Sequence, residues 1–261
     1  MAGRGVRGGI CALLVGLSLA LAGCGGSSGS PASSPQAVAD RLTQTDDALR
    51  AAIDDWRAGG DPPSSMPPQT VTDQAAALQV DARYLAEHPS LTAQVLPLLP
   101  GPLAGQMTRL TRAERDLLRL SRGAGQPKLT VGAPAALSDL VSFYREAQAR
   151  YGIGSNYLAA INLVETKFGR VKSDSVAGAQ GPMQFIPSTW QVYGDRGDIH
   201  DPHDAILAAA RLLRANGAPG SYARALRAYN DSGLYVDAVI SYAREIAANP
   251  YGLYYLYSWL P

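Results

Sequence analysis

Apolar residues recur at helical spacing along most of this chain, and no stretch of useful length alternates with the period of two that a strand requires. Val38, Leu42, Leu49, Ile53 and Trp56 predict a first helix that ends at Gly59-Gly60. Asp61-Pro-Pro-Ser-Ser-Met-Pro-Pro then breaks the chain. Val71, Leu78 and Leu85 mark a second amphipathic helix, and a third, dense in Arg and Glu, spans Thr108 to Ser121. Gly123-Ala-Gly-Gln-Pro is the expected boundary between this N-terminal region and the main domain. Pro134 suits the first position of a helix whose face is Leu137, Val141, Tyr144 and Tyr151, with Gly152 at its end. Ser155 suits the cap of the next helix. Asp201-Pro202 opens another, carrying Ile206 and Leu213 and closed by Asn216-Gly217. Two more fit Ser221 to Tyr229 and Tyr235 to Ala247. The pattern predicts an all-α protein, with room for a small hairpin near residues 171–186.

One position breaks the apolar rule. Leu158, Ile161 and Phe168 form the expected buried stripe of the Ser155 helix, and Glu165 falls on it, four residues after Ile161 and three before Phe168. A carboxylate facing apolar surroundings is costly when ionised, so its pKa rises. A carboxyl that stays protonated near neutrality can serve as a general acid. Most helical glutamates are solvated, and buried ones also occur in ion-pair networks, so the stripe needs support from elsewhere in the chain.

The N-terminal segment changes the picture of where the protein works. Arg4 and Arg7 precede a continuous run of apolar and small residues from Ile10 to Ala22, too short to span a bilayer comfortably. The run closes on Leu21-Ala-Gly-Cys24, which resembles the bacterial lipobox and implies cleavage before Cys24 and lipidation of that cysteine; an ordinary secretory signal cleaved nearby is the alternative. Of the two cysteines, Cys11 would leave with residues 1–23 and Cys24 would carry lipid, so the mature chain has no disulfide and depends on its core. Losing Arg4 and Arg7 leaves 21 basic against 22 acidic residues, a balance that argues against nucleic acid as a partner and against electrostatic membrane binding. Several acyl chains would anchor durably. Residues 24–36 read as a flexible Gly/Ser/Pro/Ala tether. The helical region 37–122 shows no catalytic signature; it either packs on the main domain, the favoured reading, or forms a small helical module.

Candidate chemistry gathers after Glu165. The run Ser173-Asp-Ser-Val-Ala-Gly-Ala-Gln-Gly-Pro-Met-Gln-Phe-Ile-Pro-Ser-Thr-Trp combines apolar Met183, Phe185 and Trp190 with Gln180 and Gln184. Such a wall suits a ligand with apolar faces and many hydroxyls, as a sugar has; a structural turn before a helix is the plainer alternative. Ala228-Tyr229-Asn230 ends a helix. Tyr251, Tyr254, Tyr255, Tyr257 and Trp259 are expected to pack a terminal helix rather than stack on saccharide.

Taken in order, Glu165-Thr-Lys-Phe-Gly-Arg, Gly178-Ala-Gln-Gly-Pro-Met-Gln-Phe-Ile-Pro-Ser-Thr-Trp, Asp204-Ala-Ile-Leu-Ala-Ala-Ala-Arg-Leu-Leu and Ala228-Tyr-Asn resemble the lytic murein transglycosylases, most closely the membrane-bound type B branch with the lysozyme-like fold. The resemblance covers about residues 135–247 and leaves 37–122 outside. It implies a lysozyme-like catalytic domain over 134–261. It also implies cleavage of the β-1,4 bond between N-acetylmuramic acid and N-acetylglucosamine in peptidoglycan, leaving a 1,6-anhydro end, with glycan strands as the partner and no cofactor. Carried onto this chain, it makes Glu165 the acid/base and places Ser175, Met183, Gln184, Phe185, Tyr229 and Asn230 on the substrate cleft, with Tyr229 holding the glutamate or the acetamido group. One glutamate suffices there because the muramic C6 hydroxyl is the nucleophile, whereas ordinary glycosidases use two carboxylates. The branch often carries a calcium-loop-like insertion, but Asp195, Asp198 and Asp201 are three apart, so no EF-hand-type site is expected. His200 and His203 nearby could suggest zinc, although a solvated loop is the expected state. A hydrolytic muramidase and a non-catalytic peptidoglycan-binding lipoprotein remain the alternatives. The expected location is the outer face of the bacterial cytoplasmic membrane, held by lipid on Cys24.

Overall fold

The computed structural model describes residues 34–122 and 129–261. The signal segment, Cys24, nearly all of the tether and the Gly123–Pro127 boundary lie outside the described residues. Among those described, eleven α-helices and one short 3-10 turn account for the regular structure, and β pairing is limited to the isolated bridges Val131–Val171 and Gln180–Phe185. The hairpin expected near 171–186 is reduced to the second of these bridges.

Helix α1 (Pro35–Arg57) starts two residues inside the expected tether, because Ser34 caps it: its Oγ accepts from Ala37 N at 3.2 Å, and Pro35 occupies the first turn. Its stripe of Val38, Leu42, Leu49, Ile53 and Trp56 is buried as the spacing predicts. Helix α2 (Gln69–Glu87) buries Val71, Leu78 and Leu85 and is tied to α1 by the two-pronged Arg41–Asp81 pair at 3.1 and 2.7 Å. Helix α3 (Pro89–Val95) leads into α4 (Gly101–Ser121).

The rest of the chain supplies α5 (Leu137–Tyr151), α6 (Ser155–Thr166), α7 (Pro187–Tyr193), α8 (Pro202–Ala215), α9 (Tyr222–Tyr229), α10 (Gly233–Ala248) and α11 (Gly252–Tyr257). Gly152 ends α5 at φ 67°, and Asp201 caps α8 by accepting from Asp204 N at 3.0 Å, both as expected. Two expected starts are corrected. Pro134 lies outside α5, which begins at Leu137. Ser155 does not cap α6: Gly154 holds that position, Ser155 is already helical, and its backbone N–H donates to the Gln148 side chain of α5 at 2.9 Å. The cap is supplied across an interhelical contact, which no local pattern encodes.

The α4–α10 interface decides the role of the N-terminal helices. Gln106 accepts from Asn249 at 2.8 Å, Arg109 pairs with Glu245 at 2.5 Å, and Glu114 accepts from Tyr242 at 2.5 Å. The numbers rise on one helix as they fall on the other, so the two run antiparallel. Glu245 is fully buried and also accepts from Asn249 and Tyr255. The N-terminal helices therefore pack on the body, the favoured of the two readings, through a joint of polar groups that satisfy one another. The aromatic tail packs as expected. Tyr255, Tyr257 and Trp259 are buried, while Tyr251 donates to Asp54 at 2.9 Å and Tyr254 donates to Asp61, clasping α1.

Candidate active site

Helix α6 is the centre of the body, packed on one side by α10 and on another by α5. Every residue from Leu158 to Thr166 is buried. Glu165 thus lies not on a single buried stripe but on a helix buried all round over this stretch. A helix apolar nearly all round is a core helix, so Glu165 is buried because of where α6 lies. Phe168 is buried too, but not by helical periodicity, since α6 ends at Thr166 and the chain turns back with Lys167 at φ 52° and Phe168 at φ 60°.

Glu165 is 0% exposed. Its Oε1 accepts from the Tyr235 hydroxyl at 2.7 Å, and its Oε2 has no partner among the described residues. Burial pushes its pKa from 4.5 up to about 8, against the opposing pull of the Tyr235 hydrogen bond. Near neutrality the group therefore holds a proton that no described residue accepts. Burial, and the field of the Glu165 carboxylate, push the Tyr235 and Tyr229 hydroxyls well above their ordinary value, so both remain hydrogen-bond donors.

The loop facing this helix is built on unusual backbone. Gly181 sits at φ 71°, and a Cβ there would lie 1.9 Å from the Ile199 carbonyl oxygen, so only glycine fits. Gln180 and Phe185 exchange backbone hydrogen bonds at 2.9 Å in both directions and close a turn over Gly181–Gln184. Gln184 takes φ 49°, donates its side-chain amide to Gly181 O at 3.0 Å and leaves a buried Oε1 without a partner. Met183 and Phe185 are fully buried, and Phe185 packs edge-on against Trp190 and Tyr229.

The structure joins Glu165, Tyr235, Tyr229, Met183 and Phe185 through direct contacts. Tyr229 stacks on Tyr235 at 6.4 Å and 7°. Of the two expected roles, holding the glutamate or the acetamido group, it does not fill the first: its hydroxyl donates to Met183 O at 2.6 Å, and Tyr235 holds Glu165 instead. In the sequence Tyr235 marks only the expected start of a helix. Its bond to Glu165 bridges 70 residues, so no local signal marks it. Ser175 stays within its own loop, where its Oγ accepts from Ala179 N at 2.9 Å. Asn230 caps the end of α9, its backbone N–H donating to Leu226 O at 2.8 Å.

Of the residues weighed for a metal, Asp201 and His203 come together, and with Asp204, which the sequence did not single out, they bring ligand atoms within 4.8 Å of one another. The two aspartates make the bonds of a helix start, Asp201 accepting from Asp204 N and Asp204 from Asp198 N at 2.9 Å, while His203 Nε2 lies 2.9 Å from Glu146 of α5. His200 is outside the group.

Residues 142–251 match the family model described as the Transglycosylase SLT domain. The matched segment runs from within α5 to the threshold of α11 and includes Glu165, the Gly181–Gln184 turn, Tyr229 and Tyr235; α1–α4 lie outside it. The helical body from α5 onward is thus similar to a transglycosylase domain, a likeness that covers less than half of the chain. No curated protein and no solved structure matches the chain.

Proposed function

We propose that this protein is a lytic transglycosylase that cleaves the bond between N-acetylmuramic acid and N-acetylglucosamine and leaves 1,6-anhydro ends, with Glu165 as the acid and then the base. The observation that carries this reading is the buried carboxyl of Glu165, shifted to about 8, with one oxygen held by Tyr235 and the other free. Protonated at neutral pH, Oε2 donates its proton to the glycosidic oxygen as the C1–O bond breaks. The carboxylate left behind keeps the Tyr235 hydrogen bond. It then takes the proton of the muramic C6 hydroxyl as that oxygen bonds to C1, which closes the anhydro ring and returns Glu165 to its starting state. Among the described residues, the influences on the Glu165 pKa are its own burial and Tyr235, which suits a reaction whose nucleophile belongs to the substrate. Gln184 Oε1, buried and unpartnered, is a ready acceptor for a sugar hydroxyl or amide.

The lipobox-like Leu21-Ala-Gly-Cys24 supports export and lipid anchoring on Cys24 at the outer face of the cytoplasmic membrane. Among the described residues, no helix is long and apolar enough to cross a membrane.

Mass spectrometry of muropeptides released from purified sacculi tests the reaction, because anhydro and reducing ends differ by one water. Anhydro products from the wild type and none from Glu165→Gln are expected. Reducing ends would make the enzyme a hydrolase, and release by Glu165→Gln would remove the glutamate from the mechanism.

A further inference from the structure

Hydroxyls from two helices hold the Gly181–Gln184 turn in place. Thr166, the residue after Glu165, donates its hydroxyl to Pro182 O at 2.6 Å. The Thr166 hydroxyl oxygen also accepts from Gly169 N at 2.9 Å, so one side chain ties the turn to the end of α6 and closes that end as well. From α9 the Tyr229 hydroxyl donates to the very next carbonyl, Met183 O, at 2.6 Å. Thr166 is 0% exposed and so is Tyr229. Two consecutive carbonyls of a four-residue turn are thus each held by a buried hydroxyl.

A turn with Gly181 at φ 71° and Gln184 at φ 49° is not one that most side chains adopt unaided. Gln184 commits its amide to Gly181 O and keeps a buried Oε1 unpaired. An unpaired buried acceptor is costly, and it is useful only if it is held where a ligand donor arrives.

We propose that Thr166 and Tyr229 are positioning residues that act as one clamp on the Gly181–Gln184 turn and fix Gln184 relative to Glu165. Thr166 does so through Pro182 O and Tyr229 through Met183 O. Because Thr166 follows Glu165 directly in the chain, the catalytic carboxyl and the turn share a single anchor at the end of α6. The inference concerns the site of the proposed transglycosylase, and its activity arm rests on that reading; its structural arm does not.

The test uses the full-length protein with Thr166→Val, Thr166→Ser, Tyr229→Phe and the double variant Thr166→Val/Tyr229→Phe. Hydrogen exchange read at the amides of Gln184 and Phe185 requires no activity. Both bond-removing variants are expected to speed exchange there, and Thr166→Ser to leave it near the wild-type rate. Unchanged exchange in both would overturn the clamp even if the protein proved to have no activity on sacculi. Given activity, each bond-removing variant should lower kcat about tenfold, one neutral hydrogen bond's worth, with KM little changed and Thr166→Ser close to wild type. The high-pH limb set by Glu165 should stay in place. The double variant should lose little more than the worse single one, because two groups that hold one turn act as a unit. Losses that multiply, or a Thr166→Ser as slow as Thr166→Val, would overturn the clamp.

Discussion

Replacing Glu165 by Gln should make the folded protein more stable, relative to wild type, as the pH rises, while abolishing its chemistry. In the folded state the carboxyl titrates near 8, against an ordinary value of 4.5. Between those two values the unfolded chain has released the proton and the native state still holds it. The native state binds more protons, so stability falls with rising pH, by about 1.4 kcal/mol per pH unit for this one group. Above about 8 both states are ionised and the loss levels off, at about 5 kcal/mol in total. Gln fills the same space, keeps an oxygen for the Tyr235 hydroxyl and cannot titrate. Any cost of its buried amide is a constant offset, and every other titrating group is common to both proteins. Urea unfolding followed by tryptophan fluorescence, run at pH 5.5, 7 and 8.5, would measure the difference. The stability of Glu165→Gln relative to wild type should climb through this range and flatten above pH 8. A difference independent of pH would show that Glu165 titrates normally and would refute the argument from burial to general acid.

Tyr235→Phe removes the hydrogen bond that holds the Glu165 pKa down, so the high-pH limb of the rate profile should move upward. The rate at neutral pH should fall about 10- to 100-fold, on the order of one charge-assisted hydrogen bond. Initial-rate profiles between pH 5 and 10 would check both. Arg109→Met leaves the fully buried Glu245 without its cation, so thermal or urea unfolding should show a loss of about 3–5 kcal/mol across the whole protein. Two separate transitions, with only one of them shifted, would mean that α1–α4 are not part of the catalytic body. Cys24→Ala should shift the protein from the detergent phase to the aqueous phase without changing its activity on soluble glycan fragments; a wild type with no acyl mass on its N-terminus would end the lipoprotein reading.

Much of this protein was legible in the chain itself. The stripes of α1 and α2, the cap at Asp201 and the stop at Gly152 are local matters of side-chain spacing and backbone sterics, and they read correctly because nothing distant is needed to produce them. Glu165 stood out for the same reason, as a carboxyl within an apolar run. What the tertiary structure decided is the set of partners. Glu165 is held by Tyr235 rather than Tyr229, α6 is capped through Gln148 rather than by Ser155, and α4 locks onto α10 through Glu245, 136 residues from Arg109. The burial of Glu165 itself follows from α6 being enclosed on every side, which the single-stripe reading did not require. Periodicity tells a helix which face to hide. The groups that meet a hidden polar atom are chosen by the packing of whole helices, and a hydrogen bond between residues far apart in sequence leaves no pattern in either segment.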